Sequence, residues 1–320
     1  MLLPTFDTRN LLVDRFRDVL SSSYLLPLPQ SGAMASLYSK QSMDALCRRE
    51  GVPTPKTIFP LSLEQALQQG PSLGFPLVVK GIDSDRLMHR TGRRMAVVQT
   101  LDALRAAYNG LDEPGFNNLE LQEYIPGGTQ DTWMLSAYID KQGDCRFAIT
   151  GQKLRQFPIH GGVTTLGVCA PCVSMTENIA RLAKGAGYRG ILDADFCHDR
   201  RDGLWKLVDV NPRPGANFRL FVDKHGLDVV RAQYLDLTGQ SVPVVEPVWG
   251  RRWMVEDKDL NAFRDHSLEG TLTLREWLKS LRGVSEFAHL ATDDLRPSVA
   301  FARSLLSYHA ERVVRRLWPF

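Results

Sequence analysis

A chain of 320 residues, 43% hydrophobic and 23% charged, has room for two or three lobes and reads as an ordinary globular protein. Its net charge of +3 comes from 39 basic and 36 acidic residues interspersed along the chain, which gives no case for a nucleic-acid partner. No apolar run approaches the ~20 residues of a membrane span and the N-terminus lacks a signal-peptide pattern, so the cytoplasm is the default expectation.

In chain order, Met1–Pro4 is apolar and strand-like, and Thr8–Leu20 reads as a helix through Leu11, Leu12, Phe16 and Leu20. The proline-punctuated LLPLPQSG that follows reads as a surface linker. A helix over Ser39–Arg49 carries Met43, Leu46 and Cys47 on one face, and Gly51, Pro53 and Pro55 forbid its continuation. Ser62 and Gln65 suggest a capping box for a short helix ending near Gly70. FPLVVK (75–80) and MAVVQ (95–99) are strand-length apolar runs flanking a polar, Arg-rich connection. Thr100 is placed to cap a helix carrying Leu101, Leu104 and Tyr108, and LELQEYI (119–125) is a third strand. TWMLSAYID and CRFAITGQK form a hairpin turning near Gly143. The five cysteines (Cys47, Cys145, Cys169, Cys172, Cys197) are too few for a disulfide framework, and the lone CxxC reads as packing in a strand-to-helix connection. Ser174 and Glu177 suggest the next helix cap, and GILDADFCHD and LWKLVDVN form a second hairpin through RRDG. Helices follow over 227–237, 274–281 and 297–317, the last of them basic and amphipathic, as in a helix packed on the body or on a partner subunit. Mixed elements with two hairpins argue for α+β lobes with largely antiparallel sheets.

The chemistry concentrates in the second hairpin. Asp195 and Asp209, on strand arms either side of a tight turn, can face each other across the ladder, and Asp209, Asn211 and Arg213 share an i, i+2 spacing. Two carboxylates and an amide oxygen suit Mg²⁺, and an adjacent Arg213 can hold a phosphate oxygen. Asp199, Arg201 and Asp202 read as ordinary turn residues. Lys40 opens a helix, Lys80 ends a buried strand where it can deliver a point charge into a cleft, and LQEYIPGG runs into a hinge whose backbone could pair with an adenine edge.

The order Lys40, GVPTP, FPLVVK ending at Lys80, QEYIPG and DADF…VDVNPR over residues 34–240 resembles the ATP-grasp superfamily. Within it, the likeness is to carbamoyl-phosphate-synthase-like enzymes and carboxylate–amine ligases; KLRQFP and RRWMVEDKD are similar to a stand-alone bacterial ligase group. The resemblance implies an ATP-grasp fold: two α+β lobes clamping ATP, after a shortened Rossmann-like part and before a C-terminal helical extension. The corresponding divisions are 1–34, 35–245 (lobes at about 55–125 and 126–245) and 246–320. It also implies that Lys40 and Lys80 contact phosphates or adenine, and that Gln122 reaches the adenine amino group. Glu123 and Ile125 would bond adenine through backbone atoms, and Asp131, or Gln130, would hold the ribose. Asp195, Asp209 and Asn211 would bind Mg²⁺, Arg213 the transferring phosphate, and Lys153 and Arg155 phosphate or a substrate carboxylate. The implied reaction activates a small carboxylate as an acyl phosphate and joins it to an amine, an amino acid or peptide-like acceptor being the family default, with release of ADP and phosphate. Such transfer rests mainly on positioning and charge neutralisation. Competing expectations are bicarbonate activation and a catalytically silent nucleotide-binding module; a homodimer is the base-rate assembly.

Two features depart from the pattern. The stretch after Lys80 holds only Gly81 and Gly92, with Arg86, Arg90, Arg93 and Arg94 where a glycine-rich phosphate loop is usual, so guanidinium groups would replace backbone amides there. Only about 35 residues precede the Lys40 helix, which implies either a start further upstream or loss of half a first domain.

Overall fold

The computed structural model describes residues 1–159, 161–291 and 293–303. Residues 1–38 form no strand but three short helices, α1 (Asp7–Arg15), α2 (Arg17–Leu20) and α3 (Ala33–Tyr38). The single helix expected over Thr8–Leu20 breaks at Phe16, which leaves the helical region at φ −105, ψ 17. Helix α4 (Lys40–Glu50) starts at Ser39, whose hydroxyl accepts the Ser42 N–H, and ends at Gly51 with φ 65, a left-handed position that costs glycine nothing.

The smaller lobe is built from β1 (Thr57–Ile58), α5 (Leu63–Gln69), β2 (Leu77–Gly81), α6 (Ser84–Thr91), β3 (Met95–Val98), α7 (Leu101–Leu111) and β4 (Leu119–Glu123). Its antiparallel sheet has the order β1-β4-β2-β3. Leu77, Val79, Leu119 and Leu121 fill one face of this sheet and meet Ala66, Leu104 and Tyr108 of the covering helices. Each such buried leucine contributes roughly 2 kcal/mol. The Arg-rich connection is α6, capped by the Asp83 side chain, ended by Gly92 and anchored by the single buried Leu87. Three of the four arginines expected to clamp phosphate have partners within the smaller lobe. Arg86 makes a bidentate contact with Glu113 and lies over the Phe116 ring, Arg90 donates to the Leu111 carbonyl, and Arg94 pairs with Asp85.

The larger lobe contains β5 (Thr132–Ile139), β6 (Cys145–Phe157), β7 (Val163–Cys169), α8 (Val173–Ala186), β8 (Gly190–Asp199), β9 (Leu204–Asn211) and α9 (Val229–Leu237). The C-terminal part adds β10 (Arg252–Met254), α10 (Glu256–Leu268), α11 (Leu274–Ser280) and β11 (Val284–Phe287). The seven-stranded sheet has the order β11-β10-β7-β6-β5-β8-β9, so the region read as a helical extension also supplies strands to the main sheet. On one face Leu135, Ala137, Leu192 and Ala194 pack against α4 and α8; on the other Met134, Tyr138, Phe147 and Ile149 pack against α9 and Trp253. The CxxC lies where expected: Cys169 ends β7, and Cys172, rather than Ser174, stands at the N-cap position of α8, with no capping bond from its side chain. All five cysteines are unpaired. Residues 296–303 are helical, and the rest of the basic helix expected over 297–317 lies outside the described residues. Among the described residues no helix is long and apolar enough to cross a membrane.

Candidate active site

The β8–β9 ladder brings the acidic residues together as the spacing suggested. Asp195 stands directly opposite Asp209, and Asp193 opposite Asn211, so all four share one face of the larger sheet. Each of the two facing carboxylates carries a lysine from another element. Lys40, at the start of α4, donates to Asp209 Oδ1 at 2.6 Å, and Lys153 of β6 lies 3.0 Å from Asp195 Oδ1. Burial pulls the Lys40 ammonium down, but Asp209, Glu120 and Asp195 together hold it above the ordinary lysine range. Because Glu120 belongs to the smaller lobe, Lys40 stands in the cleft between both sheets. Arg213 follows β9, 3.4 Å from Asn211 Oδ1, and its Nε lies 2.9 Å from Asp7 of α1.

Asp193 is the acid that sequence reasoning passed over, although DAD places it on the same face as Asp195. Burial, then the neighbouring Asp195, pushes its carboxyl up to about 7 against the pull of Arg213 and Lys153. A Cβ on Gly215 would lie 2.2 Å from Asp193 Oδ1, so the loop after Arg213 packs on this carboxylate by backbone alone.

The cleft face of the smaller sheet follows from its register. Lys80 is opposite Glu120 and Met95, and Val78 opposite Gln122 and Val97. Lys80 donates to Gln122 Oε1 at 3.1 Å and pairs with Glu120 at the same distance, while the Gln122 amide donates to Thr57 Oγ1 at 3.0 Å. Met95 and Val97 are 39% and 45% exposed, leaving an apolar strip beside these polar groups. Such a strip suits a flat aromatic ligand with polar groups at its edge. The apolar run MAVV marks the strand, but nothing in it singles out the exposed face. Ile125 is half-buried in the segment that leaves β4.

Three expected site residues are engaged elsewhere. Arg155 makes a buried bidentate pair with Asp259 of α10, both bonds 2.8 Å, and also donates to Ser280 Oγ. A register break in β6 between Lys153 and Arg155 cancels the i, i+2 rule that would have put both on one face. Asp131 accepts from the Gly128 N–H through Oδ2 and from Arg200 Nε at 2.9 Å through Oδ1, so its carboxylate closes the hinge loop instead of facing outward. Gln130, its alternative, is exposed. The Glu123 N–H is committed to the Lys56 carbonyl at 2.9 Å, which leaves its carbonyl as the backbone group for the adenine role. The 199–202 turn is also more than solvated charge. Asp199 is fully buried, and Arg201 beside it, with Lys206, holds its carboxyl below the usual range.

Among the described residues no three acidic, histidine or cysteine side chains already converge on a metal position. The donor set nevertheless fits a hard cation: Asp195 and Asp209 face each other beside Asn211, and lysine ammonium groups now neutralise both carboxylates.

No protein-family model matches the chain. Its sequence is similar to the D-aspartate ligase of Enterococcus faecium (strain Aus0004), 25% identical over 259 residues that cover 76% of this chain and 61% of that protein. The chain thus spans about three fifths of that relative's length. Among solved structures, the Campylobacter jejuni biotin carboxylase–β-γ-ATP complex is similar with TM-score 0.58 and 17% identity, over 75% of this chain and 55% of that one. The L-amino acid ligase of Bacillus licheniformis is similar with TM-score 0.57 and 14% identity, over 77% and 59%.

Proposed function

We propose that this chain, whose fold is the ATP-grasp fold, is a Mg-ATP-dependent ligase that joins a small carboxylate to an amine, releasing ADP and phosphate. The observation that carries the reading is the facing pair Asp195 and Asp209, each held by a lysine from a separate element, beneath a lobe whose cleft face offers Lys80 and Gln122 beside an apolar strip. In this reading adenine lies along Val78, Met95 and Val97, with Gln122 Oε1, the Glu123 carbonyl and the Ile125 N–H at its edge. Exposed Gln130 is the hinge-loop group open to the ribose. Lys40 and Lys80 turn from their carboxylate and amide partners to the phosphates, and Asp195, Asp209 and Asn211 hold Mg²⁺. The ion, when bound, polarises the phosphoryl oxygens, an effect worth several kcal/mol.

Arg213 and Lys153 hold the carboxylate beside the terminal phosphate, so that its oxygen attacks phosphorus and ADP leaves. The amine nitrogen then attacks the acyl carbon; the C–N bond forms, the C–O bond to phosphate breaks, and the amine gives up a proton. For this chain the work is positioning and charge neutralisation. D-Aspartate ligase and L-amino acid ligase among its likenesses support an amino acid as one of the two substrates.

Mg-dependent ADP release should be measured with a panel of amino acids and small carboxylates, beside Asp209→Ala. Substrate-stimulated ADP that falls by at least a hundredfold in the variant, with the far-UV spectrum intact, is expected; the estimate of about two decades follows from loss of a metal-positioning group. Near-normal turnover in the variant would sink the metal assignment, and no ADP above the variant's background with any addition would sink the ligase reading.

A further inference from the structure

The turn joining β8 to β9 grips the hinge segment at both of its ends. At the start of that segment, Arg201 donates to Glu123 Oε2 at 3.0 Å and Lys206 donates to Glu123 Oε1 at 2.9 Å. At its end, Arg200 Nε donates to Asp131 Oδ1 at 2.9 Å. Residues 124–130, between these anchors, carry the Pro126-Gly127-Gly128 run, which has little conformational stiffness of its own at the two glycines. Asp131 Oδ2 closes the loop on the Gly128 N–H, and a Cβ at Gly127 would meet that oxygen at 2.6 Å.

The anchors are themselves fixed. Asp199 accepts from Arg201 at 2.6 and 2.8 Å and from Lys206 at 2.7 Å, and it is fully buried, while Lys206 and Glu123 are each 7% exposed. The strap before β1 joins the same knot: the Lys56 N–H donates to Glu123 Oε1, and Leu207 donates to the Pro53 carbonyl. Lys206 and Asp209 lie on one strand, three positions apart, with a bulge at Val208 between them. One rigid strand therefore spaces the hinge from the paired carboxylates.

We infer that the Asp199-Arg200-Arg201 turn is a positioning device for nucleotide binding, holding the 123–131 backbone in the shape that receives the adenine and ribose. The inference rests on the nucleotide reading proposed above. A loop clamped at both ends loses less conformational freedom when a ligand orders it, and that saving appears as affinity. Arg200 and Arg201 are the informative positions because their side chains are 69% and 49% exposed. Arg200 makes a single, mostly exposed pair that adds little to global stability, so its loss reads loop order without unfolding the protein, whereas Arg201 also serves the buried Asp199 and Glu123.

The test is titration of the full chain with MgADP by calorimetry, beside thermal melts, for wild type, Arg200→Ala, Arg201→Ala and Arg201→Lys. Arg201→Ala is expected to weaken MgADP binding about tenfold and Arg200→Ala about threefold. The melting temperature should stay close to wild type for Arg200→Ala and fall by a few degrees for Arg201→Ala, which uncovers the buried Asp199 and Glu123, and Arg201→Lys should recover most of the affinity. Steady-state KM for ATP should rise in step while kcat at saturating ATP falls less. Should Arg201→Ala fail to fold, Arg200→Ala, which removes only a mostly exposed guanidinium, carries the test. Wild-type binding with unaltered affinity in the folded variants overturns the inference alone. A wild-type protein that binds no MgADP overturns the nucleotide reading and this inference with it.

Discussion

Arg155 and Lys153 show how far a role depends on what a side chain meets. Lys153 reaches Asp195 in the cleft, whereas Arg155 spends its guanidinium on Asp259, which also accepts from Thr165 Oγ1 and Trp277 Nε1. Removing one partner of a buried pair leaves the other charge uncompensated, at a cost of about 3–5 kcal/mol. Arg155→Met should therefore lower the melting temperature by roughly five to seven degrees. At temperatures where the variant is folded, its ATP KM should stay within twofold of wild type. A kinetic loss without a stability loss would return Arg155 to the substrate site. The reverse holds for Lys40: its bond to Asp209 crosses 169 positions of sequence, so it reports on the site and not on local structure.

At the level of elements, the two hairpins, the capped helices α4 and α7 and the strands at 77–81 and 119–123 were legible because each has its own local signal: alternation, a Ser or Thr cap, a terminating glycine. The two arms carrying Asp195 and Asp209 were legible for the same reason, but the turn register alone would set Asp195 opposite Val208, and a bulge between Asp195 and Phe196 brings it opposite Asp209. What escaped depends on distant partners. Helix α6 has one buried residue, Leu87, with only Met88 apolar beside it, too few to mark a period; β10 and β11 are short, and they become strands only by pairing with β7 and with each other. Bulges between Lys153 and Arg155 and between Asp195 and Phe196 likewise leave no mark in a single sequence. The α6 arginines give a direct check on this element. With Arg86 on Glu113 and Arg90 on the Leu111 carbonyl, Arg86→Ala and Arg90→Ala should leave ATP KM within about twofold, because lost surface pairs amount to about 1 kcal/mol or less of stability. A rise of tenfold or more in either would restore α6 as a phosphate clamp.

For the whole molecule, the lobes are joined by the strap at 53–56, by the hinge and by the buried charges where the two meet. Pro53 extends the bonding of β9, Glu123 closes the smaller sheet, and Asp199 with Lys206 belongs to the larger one. Burial pushes the Glu123 carboxyl up, but Lys206, the Lys56 N–H and Arg201 outweigh it and hold the group below its ordinary value. Asp199 is held down by Arg201 and Lys206. Both are acids with depressed folded-state values, so their stabilisation is complete above the unfolded values near ~4 and is lost as pH falls below that. These two acids should therefore add nothing to the pH dependence of melting between pH 7 and about 5, where protonation of the raised Asp193 adds stability as pH falls, and their own contribution should be lost below about 4. Asp199→Asn leaves Lys206 and Arg201 short of a carboxylate and should lower stability at pH 7 by about 3 kcal/mol. Having less to lose to protonation, the variant should also show a shallower decline in acid, with the two curves converging toward pH 2. Thermal melts across this range decide it: parallel curves would mean that the charges joining the lobes are already satisfied in the unfolded chain, and that the lobes are held together by packing alone.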